Sequence, residues 1–384
     1  MGRTPSRADG LDAEQQPGVL ARDPRLDGGA FFGREGMTLN SLERIRSVLS
    51  GDIPDRVPVF PMIVSGTARW AGVPVARYAA DPVVMADCLM SAQHRAGYDG
   101  IHVSLNVSVE AEALGALIEQ PLDELPHVVA PLLAEPADLI RLRIPDPLTD
   151  GRLPVFVEAT RIVARDVGDS VLIVPNIRGP MSMASQLRGV EQLLVDLIDA
   201  PDFVADLLAF CAEVGVVFGA ALSRAGGHAI MLGDALCSPA SISPTMYRRV
   251  AQPVHTEMVR RLHEAGAGSV FMHVCGDTRP IIPDLAATGA DMLDLDAAVP
   301  LPEARALAGP NVGLRGNVNP SLLYGATSAD ALEVARRTIA AGGRSRFVLG
   351  TGCEVPIGTP IENVIAMVDA SRQASYRDEA RGSI

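Results

Sequence analysis

The segment Phe271-Met272-His273-Val274-Cys275-Gly276-Asp277 sets an imidazole and a thiol two residues apart. On a strand, side chains at i and i+2 share a face, so His273 and Cys275 project together. Imidazole nitrogen and thiolate sulfur are ligands that Zn²⁺ prefers, at about 2.0–2.1 and 2.3 Å. A third ligand must come from elsewhere. Cys353, in Gly350-Thr351-Gly352-Cys353-Glu354-Val355-Pro356, is the candidate. One histidine and two cysteines leave a tetrahedral ion with one open position, the catalytic rather than the structural arrangement. The competing reading makes His273 a satisfied core histidine and both cysteines small buried apolar side chains.

A soft, open site of this kind suits a thiol as fourth ligand. A free alkyl thiol ionises near pH 8.5, so coordination to zinc supplies the thiolate that neutral solution does not. That thiolate can attack an electrophilic alkyl group. A zinc-bound water acting as a hydrolase is the alternative, and it wants a nearby general base. Glu354, beside Cys353, could serve as that base or stand as a solvated loop residue.

These residues need a scaffold, and the chain offers one. A helix starting at Thr38-Leu39-Asn40-Ser41 ends near Gly51. Strand-length apolar runs follow at 57–62, 100–106, 170–177, 228–234, 269–276, 291–297, 311–318 and 346–353, separated by helical patterns. Pro201 can open one of these helices, and Pro253 should break or kink another. Eight buried strands, each followed by helix, is the count of an α/β fold of the (β/α)₈ TIM barrel type; a doubly wound open sheet is the alternative.

In a barrel, chemistry sits at the C-terminal ends of the strands. The run ends carry Asn106, Arg178, Asp234, His273, Cys275, Asp296, Asn317 and Cys353. Asp234 is a catalytic candidate that could orient a substrate amine or hydroxyl, or else bind loop amides. Asp294 and Asp296 alternate on one face of the sixth run. Asp296 could stand behind the zinc or contact substrate, or form a salt bridge at the barrel mouth. Arg178 could hold an acidic group of the substrate. Asn317 could contact ligand or take a left-handed turn beside Gly316. His102 reads as core, and Thr359 with Glu362 reads as a capping box.

Composition bounds the rest. In 384 residues, 33 Lys+Arg against 46 Asp+Glu leave a net charge of −13, which argues against a nucleic-acid partner. Five cysteines without CxxC pairs suggest reduced thiols in a cytoplasmic setting. No run reads as a membrane span of about 20 apolar residues, and the N-terminus lacks a signal-peptide pattern. Residues 1–36, rich in Gly, Pro, Arg and Asp, read as a mobile leader, or as lying upstream of the native start at Met37. One barrel is expected over 37–372, with a flexible tail at 373–384. P-loop, HExxH and GxSxG motifs are absent, and Gly350-Thr351-Gly352 lacks the third glycine of a dinucleotide site.

Six segments carry a resemblance: NVSVEAEALG (106–115), GPMSMASQLRG (179–189), MLGDALCSPASISPTMY (231–247), HVCGDT (273–278), GLRGNVNP (313–320) and GCEVPIGTPIENVIAMV (352–368). From about Met37 to Ala370 the chain resembles the uroporphyrinogen decarboxylase superfamily, and especially its zinc-dependent branch of corrinoid:thiol methyltransferases of the coenzyme M type. The HxC…C set of that branch falls on His273, Cys275 and Cys353. The resemblance implies a (β/α)₈ barrel with zinc at its mouth. It also implies methyl-cobalamin carried by a corrinoid-binding partner protein, and a methyl acceptor that is a thiol or tetrahydrofolate. A homodimer is left open. The decarboxylase branch is the alternative function. Its Arg-rich RQAGRY-type segment, which grips tetrapyrrole carboxylates, is missing here, where the chain reads Pro61-Met62-Ile63-Val64-Ser65-Gly66-Thr67-Ala68-Arg69-Trp70.

Overall fold

The computed structural model describes residues 38–105 and 108–374. The expected leader 1–36, Asn106 and most of the C-terminal tail lie outside the described residues. The first helix, Ser41–Ser50, forms where its caps dictate. Asn40 accepts from the Glu43 N–H, the Glu43 carboxylate accepts from the Asn40 N–H, and Gly51 ends the helix at φ +90°. Its apolar face (Leu42, Ile45, Val48) packs on Phe60, Met62, Leu172, Met231, Phe271, Met292 and Val348, which come from successive strands. The helix therefore plugs the N-terminal end of the barrel interior.

Strand β1 is Gly100–Val103, and the short strands β2 (Ile118–Glu119) and β3 (His127–Val128) form a separate antiparallel pair. The remaining strands are β4 Leu172–Arg178, β5 Ile230–Gly233, β6 Val270–Val274, β7 Met292–Leu295, β8 Gly313–Val318 and β9 Phe347–Thr351. They form one parallel sheet ordered β1-β4-β5-β6-β7-β8-β9. Seven of the eight expected runs are thus regular strands.

The eighth run, 57–62, closes the ring without becoming a regular strand. Val59 pairs in parallel with Leu349, the Phe60 N–H donates to the Leu349 carbonyl, and the Asp99 N–H donates to the Val59 carbonyl. Pro58 and Pro61 have no N–H to give to a ladder, so pairing stops at a bridge. Asp99, buried at 0% exposure, supplies what the prolines cannot. Its carboxylate accepts from the Val59 N–H at 2.7 Å and binds Arg44 and Arg56 at 2.8 and 2.9 Å. Asp99→Ala takes from Arg56 its ion-pair partner, leaves Arg44 with Asp55 alone, and is expected to cost ~3–5 kcal/mol in urea unfolding. A loss under about 1 kcal/mol would contradict this closure.

Helices cover the outside of the sheet. Pro201–Arg224 opens with its proline in the first turn. By length and composition it is apolar enough to cross a membrane, which corrects the sequence expectation that no such stretch exists. Most of it is buried, however, and it packs against Pro180–Arg188, Gln252–Glu264 and β4. Pro253 does not break its helix, because a π-turn at Tyr247–Ala251 absorbs the irregularity just ahead of it. The capping box at 359–362 is not formed: Pro360 takes the cap position of Ile361–Gln373, and the Thr359 hydroxyl is buried without a partner.

Candidate metal centre

A single register row builds the site. Arg178 on β4 pairs with Gly233 on β5, Gly233 with His273 on β6, His273 with Asp294 on β7, and Asp294 with Arg315 on β8. Side chains in one row of a parallel sheet face the same way, here into the barrel. The row lies near the C-terminal ends of the strands.

Cys275 follows β6 directly, and its Sγ lies 3.3 Å from His273 Nε2. Cys353 follows β9. The ligand atoms of His273, Cys275 and Cys353 all lie within 4.8 Å of one another. A tetrahedral zinc at ordinary bond lengths needs N···S and S···S separations of about 3.5–3.8 Å, so the set fits with small side-chain adjustment. Both cysteine loops are held by contacts that only glycine allows. Gly276 sits at φ +80° with its N–H donating to Asp296 Oδ2. A Cβ on Gly352 would stand 2.4 Å from the Ala297 backbone nitrogen.

Behind the ligands runs a buried polar chain. His273 Nδ1 lies 3.1 Å from Asp294 Oδ2, which leaves Nε2 for a metal. Arg315, fully buried, clasps the Asp294 carboxylate with two bonds of 2.7 Å. Its third nitrogen donates to His102 Nε2, and His102 Nδ1 meets Asn176 Oδ1 at 2.9 Å. Phe60 stacks on His102 and lies under the Arg315 guanidinium. This order of donors requires a neutral His102 protonated on Nδ1. Burial first, and then Arg315, push its pKa down to about 3.

Burial opposes a charge on His273, yet the Asp294 carboxylate and the Cys353 sulfur raise its pKa to about 10. Burial likewise opposes the Asp294 charge, and Arg315 with His273 holds it well below the usual carboxylate range. The Cys353 contact lowers the pKa of Cys275 against burial, while the Cys275 contact and burial raise that of Cys353. Cys275 therefore ionises more readily than Cys353.

Of the other described residues singled out in the sequence, Arg178 lines the cavity and the rest stand outside its lining. Asp234, offered as catalytic, is buried and accepts from the Met181 and Ser182 N–H groups and from His255 Nε2. It ties the start of helix Pro180–Arg188 to the barrel and stands outside the cavity lining, contacts that match the loop-amide alternative and do not favour the catalytic one. Cys237 completes that cluster with His255 and Asp234, all three buried.

Glu354 accepts from the Ser65 hydroxyl at 2.9 Å and stands outside the cavity lining, which does not favour it as a base. Asp296 stands outside the cavity lining and holds the loop that carries Cys275. Its oxygens accept from the Gly276 and Ala298 N–H groups, and Asp294 takes the place behind His273. Asn317 donates its amide to the Asp296 and Val299 carbonyls, fixing the loop after β7 rather than a ligand. Arg178 does line the cavity, together with Cys275. Sequence reasoning missed Glu110 and Asn176, although both lie within segments it had marked.

The cavity has a volume of about 150 Å³. His273, Cys275 and Cys353 stand among its walls with Met62, Val109, Phe156, Ile177 and Met231, and with the polar groups Ser104, Glu110, Asn176 and Arg178. It is an apolar pocket with a few convergent polar groups at one end of a barrel, the usual form of a small-molecule site.

A family model described as uroporphyrinogen decarboxylase (URO-D) matches residues 40–374. The chain is 26% identical over 338 residues to a methylated-thiol–coenzyme M methyltransferase of Methanosarcina mazei, covering 86% of this chain and 88% of that protein. It is 30% identical over 296 residues to a uroporphyrinogen decarboxylase of Streptomyces coelicolor, covering 73% and 78%. Among solved structures, a methyltransferase from Methanosarcina mazei superposes with a TM-score of 0.80 at 25% identity, covering 87% of this chain and 99% of that one.

Proposed function

The chain belongs to the uroporphyrinogen decarboxylase family, and on that premise we propose that it is a zinc-dependent methyltransferase of the cytoplasm. It moves a methyl group from a corrinoid, carried by a partner protein, to a thiol seated beside His273, Cys275 and Cys353. The observation that carries this reading is the convergence of those three ligand atoms at the cavity wall. The similarity to thiol methyltransferases over most of the chain supports it.

Held by these side chains, Zn²⁺ would supply a Lewis acid with one open position that keeps an acceptor thiol ionised near neutral pH. The chain does the rest. Asp294 fixes the His273 ring so that Nε2 faces the cavity, and Arg315 keeps Asp294 ionised. The apolar wall formed by Met62, Phe156, Ile177 and Met231 excludes water, which leaves the acceptor sulfur poorly solvated and more nucleophilic. In the transfer, a sulfur electron pair forms the C–S bond. The Co–C bond breaks with its pair staying on cobalt, which passes from Co(III) to Co(I).

The decarboxylase reading fares worse. A substrate bearing many carboxylates needs several cationic clamps. Among the described residues, Arg178 is the only arginine lining the cavity, and Arg69 lies exposed on the helix Gly66–Trp70. A demethylation assay on methylcobalamin, followed by absorbance across thiols and tetrahydrofolate, separates the two. Thiol-dependent consumption that is lost on chelation is expected. Silence across the panel, with chelator-insensitive porphyrinogen turnover, would overturn the proposal.

The electrostatics add a prediction about loading. Metal ligands must be neutral imidazole and thiolate, whereas metal-free His273 and Cys353 are both protonated at pH 7. Zinc uptake should therefore release about two to three protons, so affinity rises with pH by roughly two decades or more per unit. Calorimetry in buffers of different ionisation enthalpy reads the count. Release of one proton or none would contradict the assigned ligands.

A further inference from the structure

Two opposite charges share the cavity without pairing with each other. Arg178 stands at the end of β4, half-buried, and among the described residues its guanidinium has no ion-pair partner. It lines the same cavity as His273, Cys275 and Cys353. Glu110, on the helix Val109–Ala113, is 3% exposed, and its Oε1 accepts from the Arg178 backbone N–H at 2.8 Å. No cationic side chain among the described residues pairs with that carboxylate. A carboxylate so deeply buried normally has a partner charge, and here it faces a cavity instead.

Space lies between this charge pair and the metal ligands. Gly233 stands between Arg178 and His273 in the register row, and nothing lies within 4 Å of where its Cβ would be. With strands about 4.8 Å apart, the Arg178 and His273 backbones are roughly 10 Å apart across that gap. The length suits a small molecule with a thiol at one end and charged groups at the other.

We propose that the methyl acceptor is a zwitterionic thiol of the α-amino-acid class. Its carboxylate meets Arg178, its ammonium meets Glu110, and its sulfur reaches over Gly233 to the His273–Cys275–Cys353 end. This rests on the methyl-transfer reading of the same cavity. A purely anionic thiol satisfies Arg178 but brings a second negative charge up to Glu110, and a purely cationic one leaves Arg178 unmatched.

The test is direct binding of thiols to the zinc-loaded protein by calorimetry, with the cobalt(II)-substituted protein's absorption reporting sulfur coordination. No corrinoid is needed. Homocysteine should bind ~10-fold or more tighter than 3-mercaptopropionate, cysteamine or 2-mercaptoethanesulfonate, since each lost charge-assisted contact weakens binding by about that factor. Arg178→Met should weaken homocysteine and mercaptopropionate and spare cysteamine. Glu110→Gln, which keeps an oxygen for the Arg178 N–H, should weaken homocysteine and cysteamine and spare mercaptopropionate. Gly233→Val, which touches neither charge, should block all four.

Equal binding of all four thiols, or a preference for the sulfonate, would overturn the proposal. So would a Glu110→Gln protein that is folded and binds the panel as the unaltered one does. The two readings fail separately. Charge-selective binding without methylcobalamin consumption removes methyl transfer, and methyl transfer without charge selectivity removes the amino-acid acceptor.

Discussion

Cys275→Ser protein should leave gel filtration folded and without stoichiometric zinc, and should no longer demethylate methylcobalamin with any thiol. Cys275 is only partly buried and serine is close in shape, so little stability is at stake. The metal loses much more. Sharing the roughly 10–16 kcal/mol of a bound zinc among three protein ligands gives ~3–5 kcal/mol each, a ~10²–10⁴-fold fall in affinity. Cys237→Ser provides the control, because Cys237 is fully buried beside Asp234 and His255 and apart from the cavity lining. That variant should unfold more easily and keep its zinc. Elemental analysis and the demethylation rate of both proteins check the pair of outcomes; full zinc in Cys275→Ser would remove the assigned centre.

The second large effect belongs to Asp294, which supports the metal without touching it. Asp294→Asn keeps the shape and removes the charge that Arg315 and His273 both bind. The Arg315 guanidinium is then buried without a counter-charge, at an expected cost of ~3–5 kcal/mol. Zinc affinity should also fall ~10–100-fold, as for other losses of a carboxylate behind a ligating histidine. The pH dependence has a definite sign. A carboxyl held below its unfolded value contributes stability that is full above the ordinary carboxylate range and is lost as pH falls through its folded value. The unaltered protein should therefore lose stability in acid more steeply than Asp294→Asn, whose stability curve should be flatter there. Urea midpoints from about pH 6 down to about pH 2, with zinc competition against a chromophoric chelator near neutrality, measure both quantities. Unchanged zinc affinity in a folded Asp294→Asn protein would show that Asp294 does not orient His273.

Much of this was legible in the chain because it depends on short periods. The i, i+2 spacing puts His273 and Cys275 on one face, and the glycines beside Cys275 and Cys353 mark a left-handed turn and a close backbone approach. The eight apolar runs give the barrel, and all eight lie where expected. The first is reduced to a bridge by prolines that were already visible at 58 and 61.

Register was not legible. Asp294 and Asp296 share a face by the same period, and only the pairing of β6 with β7 sets Asp294 opposite His273. Nor does a sequence show which charges are buried. Arg315 and Glu110 look like ordinary surface residues until the fold encloses them. Asp234 and Asn317 were left open between chemistry and structure for the opposite reason. Both stand at strand ends where chemistry is expected, but backbone N–H or carbonyl groups of neighbouring loops claim their side chains. The helix that Pro201 opens was expected, but its apolar length answers to packing that the chain alone does not show, against neighbouring helices on several sides and against β4 and β5.

Zinc K-edge X-ray absorption, recorded before and after adding homocysteine, bears most directly on a thiol-activating zinc at this barrel mouth. One imidazole nitrogen, two sulfurs at about 2.3 Å and one light atom are expected first, with a third sulfur replacing the light atom once the thiol is added. A sulfur count that stays at two after saturation with thiol, or a zinc without cysteine sulfur at the outset, would contradict the account.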